Sequence, residues 1–259
     1  MLDLESRKRL TTLVPHELIA TKTWLRQQGL SLHFIDNAVK GRVLKVLVPG
    51  VYARYESTLT WKGIIASLQR MSDASIGVGG LSALNLEGLA HYQERGKLSL
   101  VHLYSDAPPP AWLGKLDGNT RFKWHGTRQL WQPLKTNEAK FFRQDIWRET
   151  LPPVIYSVPE KAIVELLSDV PKFISFEHAD RLMEGLSNLS PRRLDVILQA
   201  STSIKSKRLF MWLAGRHNHP WLKHLKPENY DFGSGKRELV SGGRLNKAWN
   251  ITVPREMSF

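Results

Sequence analysis

The stretch "ATKTWLRQQGLSLHFIDNAVKGRVLKVLVPGVYARY", Ala20–Tyr55, decides how the chain is read. Thr21 or Thr23 can cap a short helix that Gly29 stops. Ser31 is placed to cap a second helix, which puts Phe34, Ile35 and Ala38 on one apolar face and ends at Gly41. Its polar face carries His33, Asp36, Asn37 and Lys40. Two β-rich runs follow, broken by Pro49-Gly50, the signal of a hairpin. Upstream, "LESRKRLTTLV" spaces Leu4, Leu10 and Leu13 as one more helix and ends before Pro15. Helix, helix, turn, helix and hairpin is the order of a winged helix-turn-helix, with Gly29 in the turn. A short helical bundle with a hairpin would give the same pattern.

The charge supports the first reading. The chain has 259 residues and a formal net charge of +13. Residues 1–60 hold 9 Lys+Arg against 5 Asp+Glu, residues 61–180 hold 14 against 13, and residues 181–259 hold 14 against 6. The excess therefore lies at the two ends, and such an excess points to a polyanionic partner. A protein that is merely basic has the same totals. Cysteine is absent, which excludes disulfides and thiolate chemistry and fits a reducing compartment. No apolar run is long enough for a membrane span, and the N-terminus lacks a signal-peptide core, so a cytoplasmic protein is expected.

Beyond the hairpin, the texture predicts an α+β chain. "TLTWKGIIASLQRM" reads as an amphipathic helix and "ASIGVGGLSALNLEGLAHY" as a strand, a Gly-Gly turn and a helix. "KLSLVHLYSD", "TRFKWHG" and "FRQDIWRET" read as strands. After Pro153 four helices are expected, with Ser157 and Ser190 as N-caps and Pro159 and Pro191 in their first turns. A hairpin turning at "SGG" closes the chain, with Trp249, Ile251 and Val253 on one face. The expected organisation is a winged helix-turn-helix over 1–58 and a second domain over 59–259. That second domain has a mixed α/β part to about 155, then a mainly helical part closed by the β-hairpin.

The last of these segments, "DFGSGKRELVSGG" from Asp231, resembles a phosphate cradle but fails as a P-loop. The motif needs a glycine where Tyr230 stands and Ser or Thr where Arg237 stands. His217 and His219, two positions apart with no carboxylate pair or cysteine nearby, are a weak metal signal. Asp145 and Glu149, flanked by arginine, read as surface charge. No H-E-x-x-H and no G-x-S-x-G elbow occurs. No catalytic residue, metal site or cofactor is expected.

The stretch from Ala20 to Gln69, with "GVGGLSALNLEGLAHY", "VHLYSDAPPPAWL" and "KSKRLFMWLAGRHNHPWLKHL…FGSGKRELVSGGRLNKAWNITVP", resembles the AbiEi-type antitoxins of type IV, abortive-infection toxin–antitoxin operons. The resemblance runs from about residue 8 to residue 254. It implies a protein that represses its own operon by binding promoter inverted repeats. It also implies neutralisation of a nucleotidyltransferase-like toxin, with the C-terminal region in the antitoxin role and no stable complex required. Where many relatives carry an arginine beside the wing glycine, this chain has Pro49, which leaves Lys45 and Arg54 as the wing contacts.

The leading expectation is therefore a non-enzymatic repressor and antitoxin acting on double-stranded DNA, a monomer in solution with two copies on its operator. A nucleic-acid-processing enzyme that docks through the winged helix, and a protein-interaction module, are the alternatives. Ser31, His33 and Asn37 are expected at the major groove, Asn37 on adenine, while Lys40, Arg42, Lys45 and Arg54 hold phosphates. Lys205, Lys207, Arg208, Lys236, Arg237, Arg244 and Lys247 are expected to form a C-terminal basic surface for the antitoxin function or nucleic acid.

Overall fold

A computed structural model of the chain describes residues 4–90, 99–132 and 139–258. The N-terminal part is a winged helix-turn-helix. Helix α1, Leu4–Leu13, leads to strand β1, Ile19–Thr21, helix α2, Lys22–Gln27, and helix α3, Leu32–Lys40. Strands β2, Leu44–Val48, and β3, Val51–Arg54, form the wing. The caps are local chemistry: Thr21 Oγ1 accepts from the Trp24 amide and Ser31 Oγ from the Phe34 amide. Gly29, at φ +85°, makes the turn between α2 and α3. Leu10, Val14, Leu25, Leu30, Phe34, Ile35, Ala38, Leu44 and Tyr52 are buried together as its core.

The three-stranded sheet runs β1-β3-β2, antiparallel throughout. Alternation sends its two faces to different cores. Tyr52 and Ala20 join the helix-turn-helix core, while Ile19, Val51 and Ala53 pack with Ile64, Ile65 and Leu68 of helix α4, Trp61–Met71. The Ile19 amide donates to Ser67 Oγ at 2.9 Å, and Arg70 donates to the Leu13 carbonyl with its guanidinium 4.5 Å from the Trp24 ring. The winged helix is thereby fastened to the rest of the chain.

A mixed five-stranded sheet follows. Strands β4, Ile76–Val78, β5, Ser99–Ser105, β6, Thr120–Gly126, β7, Phe142–Asp145, and β8, Val154–Ser157, lie in the order β6-β5-β4-β8-β7. The β5/β6 and β4/β8 pairs are parallel, the other two antiparallel. Lys97 and Leu98, with which the expected strand "KLSLVHLYSD" begins, lie outside the described residues. Gln69 of α4 bridges β4 and β8: its amide donates to the carbonyls of Ile76 and Ile155 and accepts from the Ile155 amide.

Helix α5, Gly80–Leu86, and four later helices complete the core: α6, Pro159–Leu167, α7, Phe176–Glu184, α8, Pro191–Ala200, and α9, Ile204–His217. Every residue of α6 is buried, and it packs against α5, α7, α8 and α9. Its charges survive burial because each is paired. Lys161 Nζ lies 2.8 Å from Glu165 Oε1, which also accepts from Ser157 Oγ, while Glu165 Oε2 accepts from the Gly80 amide. Glu160 accepts from the Ser190 amide at 2.7 Å and faces Arg193.

Two local expectations are corrected here. Ser157 does not cap α6; Val158 holds that position, and Ser157 is the last residue of β8 with its hydroxyl turned to Glu165. The terminal hairpin does not turn at "SGG". Strands β9, Arg244–Asn246, and β10, Ile251–Val253, pair around a turn at 247–250. Trp249 sits in that turn, where Asn246 Oδ1 accepts from its amide, so strand alternation does not govern it.

Candidate functional site

The outer face of α3 is the candidate nucleic-acid interface. With Phe34, Ile35 and Ala38 committed to the core, Leu32, His33, Asp36 and Lys40 stay exposed and Asn37 is half-buried. Asn37 Nδ2 and His33 Nε2 lie 2.9 Å apart, a bond across one helical turn. Each thus holds the other's side chain upright on the helix. Asp36 is drawn aside by Lys22 at 3.5 Å. Ser31 is exposed, and its Oγ accepts the cap bond from the Phe34 amide. Leu32, 43% exposed at the start of α3, lies outside the apolar face of Phe34, Ile35 and Ala38.

The four expected phosphate contacts divide into two classes. Lys40 and Arg42 are exposed, with Arg42 at φ +54° and its guanidinium 5.9 Å from the Tyr55 ring centroid. Lys45 donates to the Ser57 carbonyl at 2.7 Å and Arg54 to Thr11 Oγ1 at 3.2 Å. The last two therefore already serve to hold the wing against the body.

At the other end of the chain the basic residues separate by burial. Lys236, Arg237, Arg244 and Lys247 are exposed. Lys207 and Arg208 are each only 2% exposed, so they do not belong to the expected basic surface. Lys205 is half-buried and donates to the carbonyls of Ser168 and Val170 just beyond α6, where the helix presents unpaired carbonyls. Burial lowers the pKa of Lys205 and of Lys207. Arg208 is enclosed by the glycine-rich loop: it donates to the carbonyls of Phe232, Gly233, Gly235 and Asn250 at 2.7–3.1 Å. Gly233 at φ +63° and Gly235 at φ +74° allow the loop to turn its carbonyls inward. A phosphate cradle presents N–H groups. This loop presents carbonyls and takes a guanidinium.

A third constellation joins residues far apart in sequence. His102 and Tyr104 on β5 lie beside Lys123 and His125 on β6, with His102 paired to Lys123 and Tyr104 to His125 in the parallel register. Asp169, just after α6, closes over them. His102 Nδ1 and His125 Nε2 are 3.0 Å apart, and Asp169 Oδ2 lies 3.7 Å from the first, 3.8 Å from the second and 3.0 Å from Lys123 Nζ. The His125 ring stacks on Tyr104 at 4.4 Å. Burial, then the neighbouring His125 and after it Lys123, holds His102 down at about 4 against the pull of Asp169; burial does the same to His125, against the opposing pull of Asp169. Burial pushes the Tyr104 phenol up, and its hydroxyl meets no hydrogen-bond partner among the described residues. Sequence reasoning missed this cluster because Asp169 stands 67 and 44 positions from the two histidines and no short motif links them.

The other histidine pair is accounted for by protein partners. His217 binds Asp180 at 2.8 Å, alongside a two-point contact from Arg216 to the same carboxylate, and His219 binds the Met183 carbonyl at 2.7 Å.

Comparison with known proteins gives a consistent answer. A family model described as the N-terminal domain of the AbiEi antitoxin, a transcriptional regulator, matches residues 5–94. A second, described as a transcriptional regulator, AbiEi antitoxin of a type IV TA system, matches residues 99–254. No curated protein matches the chain. Among solved structures, the crystal structure of the RV2827C protein from Mycobacterium tuberculosis is similar, with a TM-score of 0.53 and 14% identity, covering 90% of this chain and 85% of that one. At that identity the likeness concerns the fold.

Proposed function

The chain belongs to the AbiEi antitoxin family of transcriptional regulators of type IV toxin–antitoxin systems, and from that premise we propose that it is an autorepressor binding inverted repeats in its own promoter. Residues 1–58 carry the DNA contact, and residues 59–259 carry neutralisation of a cognate nucleotidyltransferase-like toxin. It acts by binding rather than turnover, in the cytoplasm, as a monomer that places two copies on the operator. Among the described residues no helix is long and apolar enough to cross a membrane.

The observation that carries the reading is the exposed ridge of α3. A capped helix, anchored by three buried side chains, holds an Asn–His pair and Lys40 outward beside a wing with Arg42 exposed. Recognition helices of this class enter the major groove with residues near their N-terminal end on base edges. Asparagine pairs bidentately with adenine. The cations fix register on the backbone. The Asn37–His33 bond is the one that such a base contact replaces.

Footprinting on the DNA upstream of the protein's own gene tests the proposal. Protection of two half-sites of one inverted repeat, with the DNA recovered intact, is expected. Uniform protection of any fragment, or consumption of the DNA, contradicts it.

A further inference from the structure

We infer that His102, His125 and Asp169 form a binding site for a divalent transition metal of the zinc class, in the part of the chain beyond the winged helix. Among the described residues, this is the one group of three metal-ligating side chains whose ligand atoms lie within 4.8 Å of one another. The triangle of Nδ1, Nε2 and Oδ2 has edges of 3.0, 3.7 and 3.8 Å. A point equidistant from corners so placed lies about 2 Å from each, within zinc's bond lengths to imidazole nitrogen and carboxylate oxygen, roughly 2.0–2.2 Å. The ligands come from three elements, β5, β6 and the turn after α6, so the ion would join the end of a buried helix to the sheet. Two imidazoles with one carboxylate favour zinc and its neighbours over magnesium or calcium, which prefer oxygen alone.

The surroundings fit a preformed site. The Tyr104 ring stacked on His125 fixes that imidazole. The His102 backbone is fixed by its amide donating to Ser82 Oγ at 2.9 Å. Lys123 is the competitor: its ammonium takes Asp169 Oδ2 at 3.0 Å. Its side chain is more exposed than the other three, so it can swing out to solvent. Entry of the metal sends that ammonium to water. The proton that bridges the two imidazoles relocates through water to an outer nitrogen, leaving His102 Nδ1 and His125 Nε2 as donors to the ion. No electron is transferred and no covalent bond of the protein breaks. Three protein ligands leave the fourth position to water. The sequence alone predicts no metal site here, and this inference replaces that expectation.

The test is titration of the chelator-stripped full-length chain with Zn²⁺ by calorimetry, and with Co²⁺ by visible absorption. One ion per chain is expected, with tetrahedral Co²⁺ bands and selective shifts of the His102 and His125 ring protons in the NMR spectrum. Asp169→Asn should weaken binding at least about tenfold, the scale on which coordination-shell changes act. Lys123→Met, at the rim, should tighten it severalfold, because the competing cation is gone. That variant keeps the test decisive if Asp169→Asn fails to fold. Absence of saturable binding by the wild type overturns the inference. So does binding that leaves both ring signals in place, or that Lys123→Met does not alter.

Discussion

Arg208 Nη2 donates to the carbonyl of Gly233 at 3.0 Å, from inside the loop that in sequence most resembles a phosphate site. Three more carbonyls, of Phe232, Gly235 and Asn250, complete the ring around the same guanidinium. The loop's polarity is thus the reverse of an anion cradle, and its glycines shape a lid over a buried cation. Arg208→Met should cost about 3 kcal/mol or more in urea unfolding, since it leaves buried carbonyls unpaired. Arg208→Lys, which keeps the charge but loses the fork, should fall between. ATP and GTP should leave the wild-type transition unmoved; a rise in its midpoint would show that the loop does take phosphate.

Lys161 and Glu165 form a buried pair in α6. Lys161→Met leaves the carboxylate with only the Ser157 hydroxyl and the Gly80 amide, and should cost about 3–5 kcal/mol. Adding Glu165→Gln should restore much of the loss, because the charge then disappears with its partner. Equal stability of the single and double variants would refute this account of the pair.

The exposed cations at the C-terminal end admit a separation of functions. Lys236→Glu with Arg237→Glu changes side chains that are both exposed, so the variant should fold with little change in urea midpoint. Toxin neutralisation in cells should be lost while operator binding is kept. Full neutralisation by the double variant would remove this surface from the antitoxin role.

Salt dependence sorts the four cations beside the interface. Affinity for DNA should fall with a log–log slope of about −0.9 per phosphate neutralised. Lys40→Ala and Arg42→Ala should each flatten the slope by about one. Lys45→Ala and Arg54→Ala should act mainly through the wing's anchoring, lowering thermal stability because the Ser57 carbonyl and the Thr11 hydroxyl lose their donors. A slope change for Lys45→Ala as large as that for Lys40→Ala would show that DNA wins it from Ser57.

The winged helix was legible because its signals are local. Thr21 and Ser31 cap, Gly29 turns, and Phe34, Ile35 and Ala38 repeat at helical spacing. Strand β1 was not read, since three residues show no period and earn their place only by pairing with β3. Strand β8 was missed for a similar reason: its partners on β4 and β7 and its bridge to Gln69 are all tertiary. Lys207 and Arg208 look like surface cations in any window, yet both are buried, Arg208 under a loop 24 or more positions further on. The His102–His125–Asp169 cluster depends on the parallel register of β5 with β6 and on the turn after α6, none of which is written in a short motif.

The central claim, that α3 reads a specific DNA sequence, is tested most directly through Asn37. Equilibrium binding of the wild type and of Asn37→Ala is measured on the promoter fragment and on a scrambled fragment of equal length, in the same moderate salt. The account predicts a loss of about 1–3 kcal/mol on the promoter, with affinity for the scrambled fragment little changed. Equal losses on both fragments, or none on either, would contradict it.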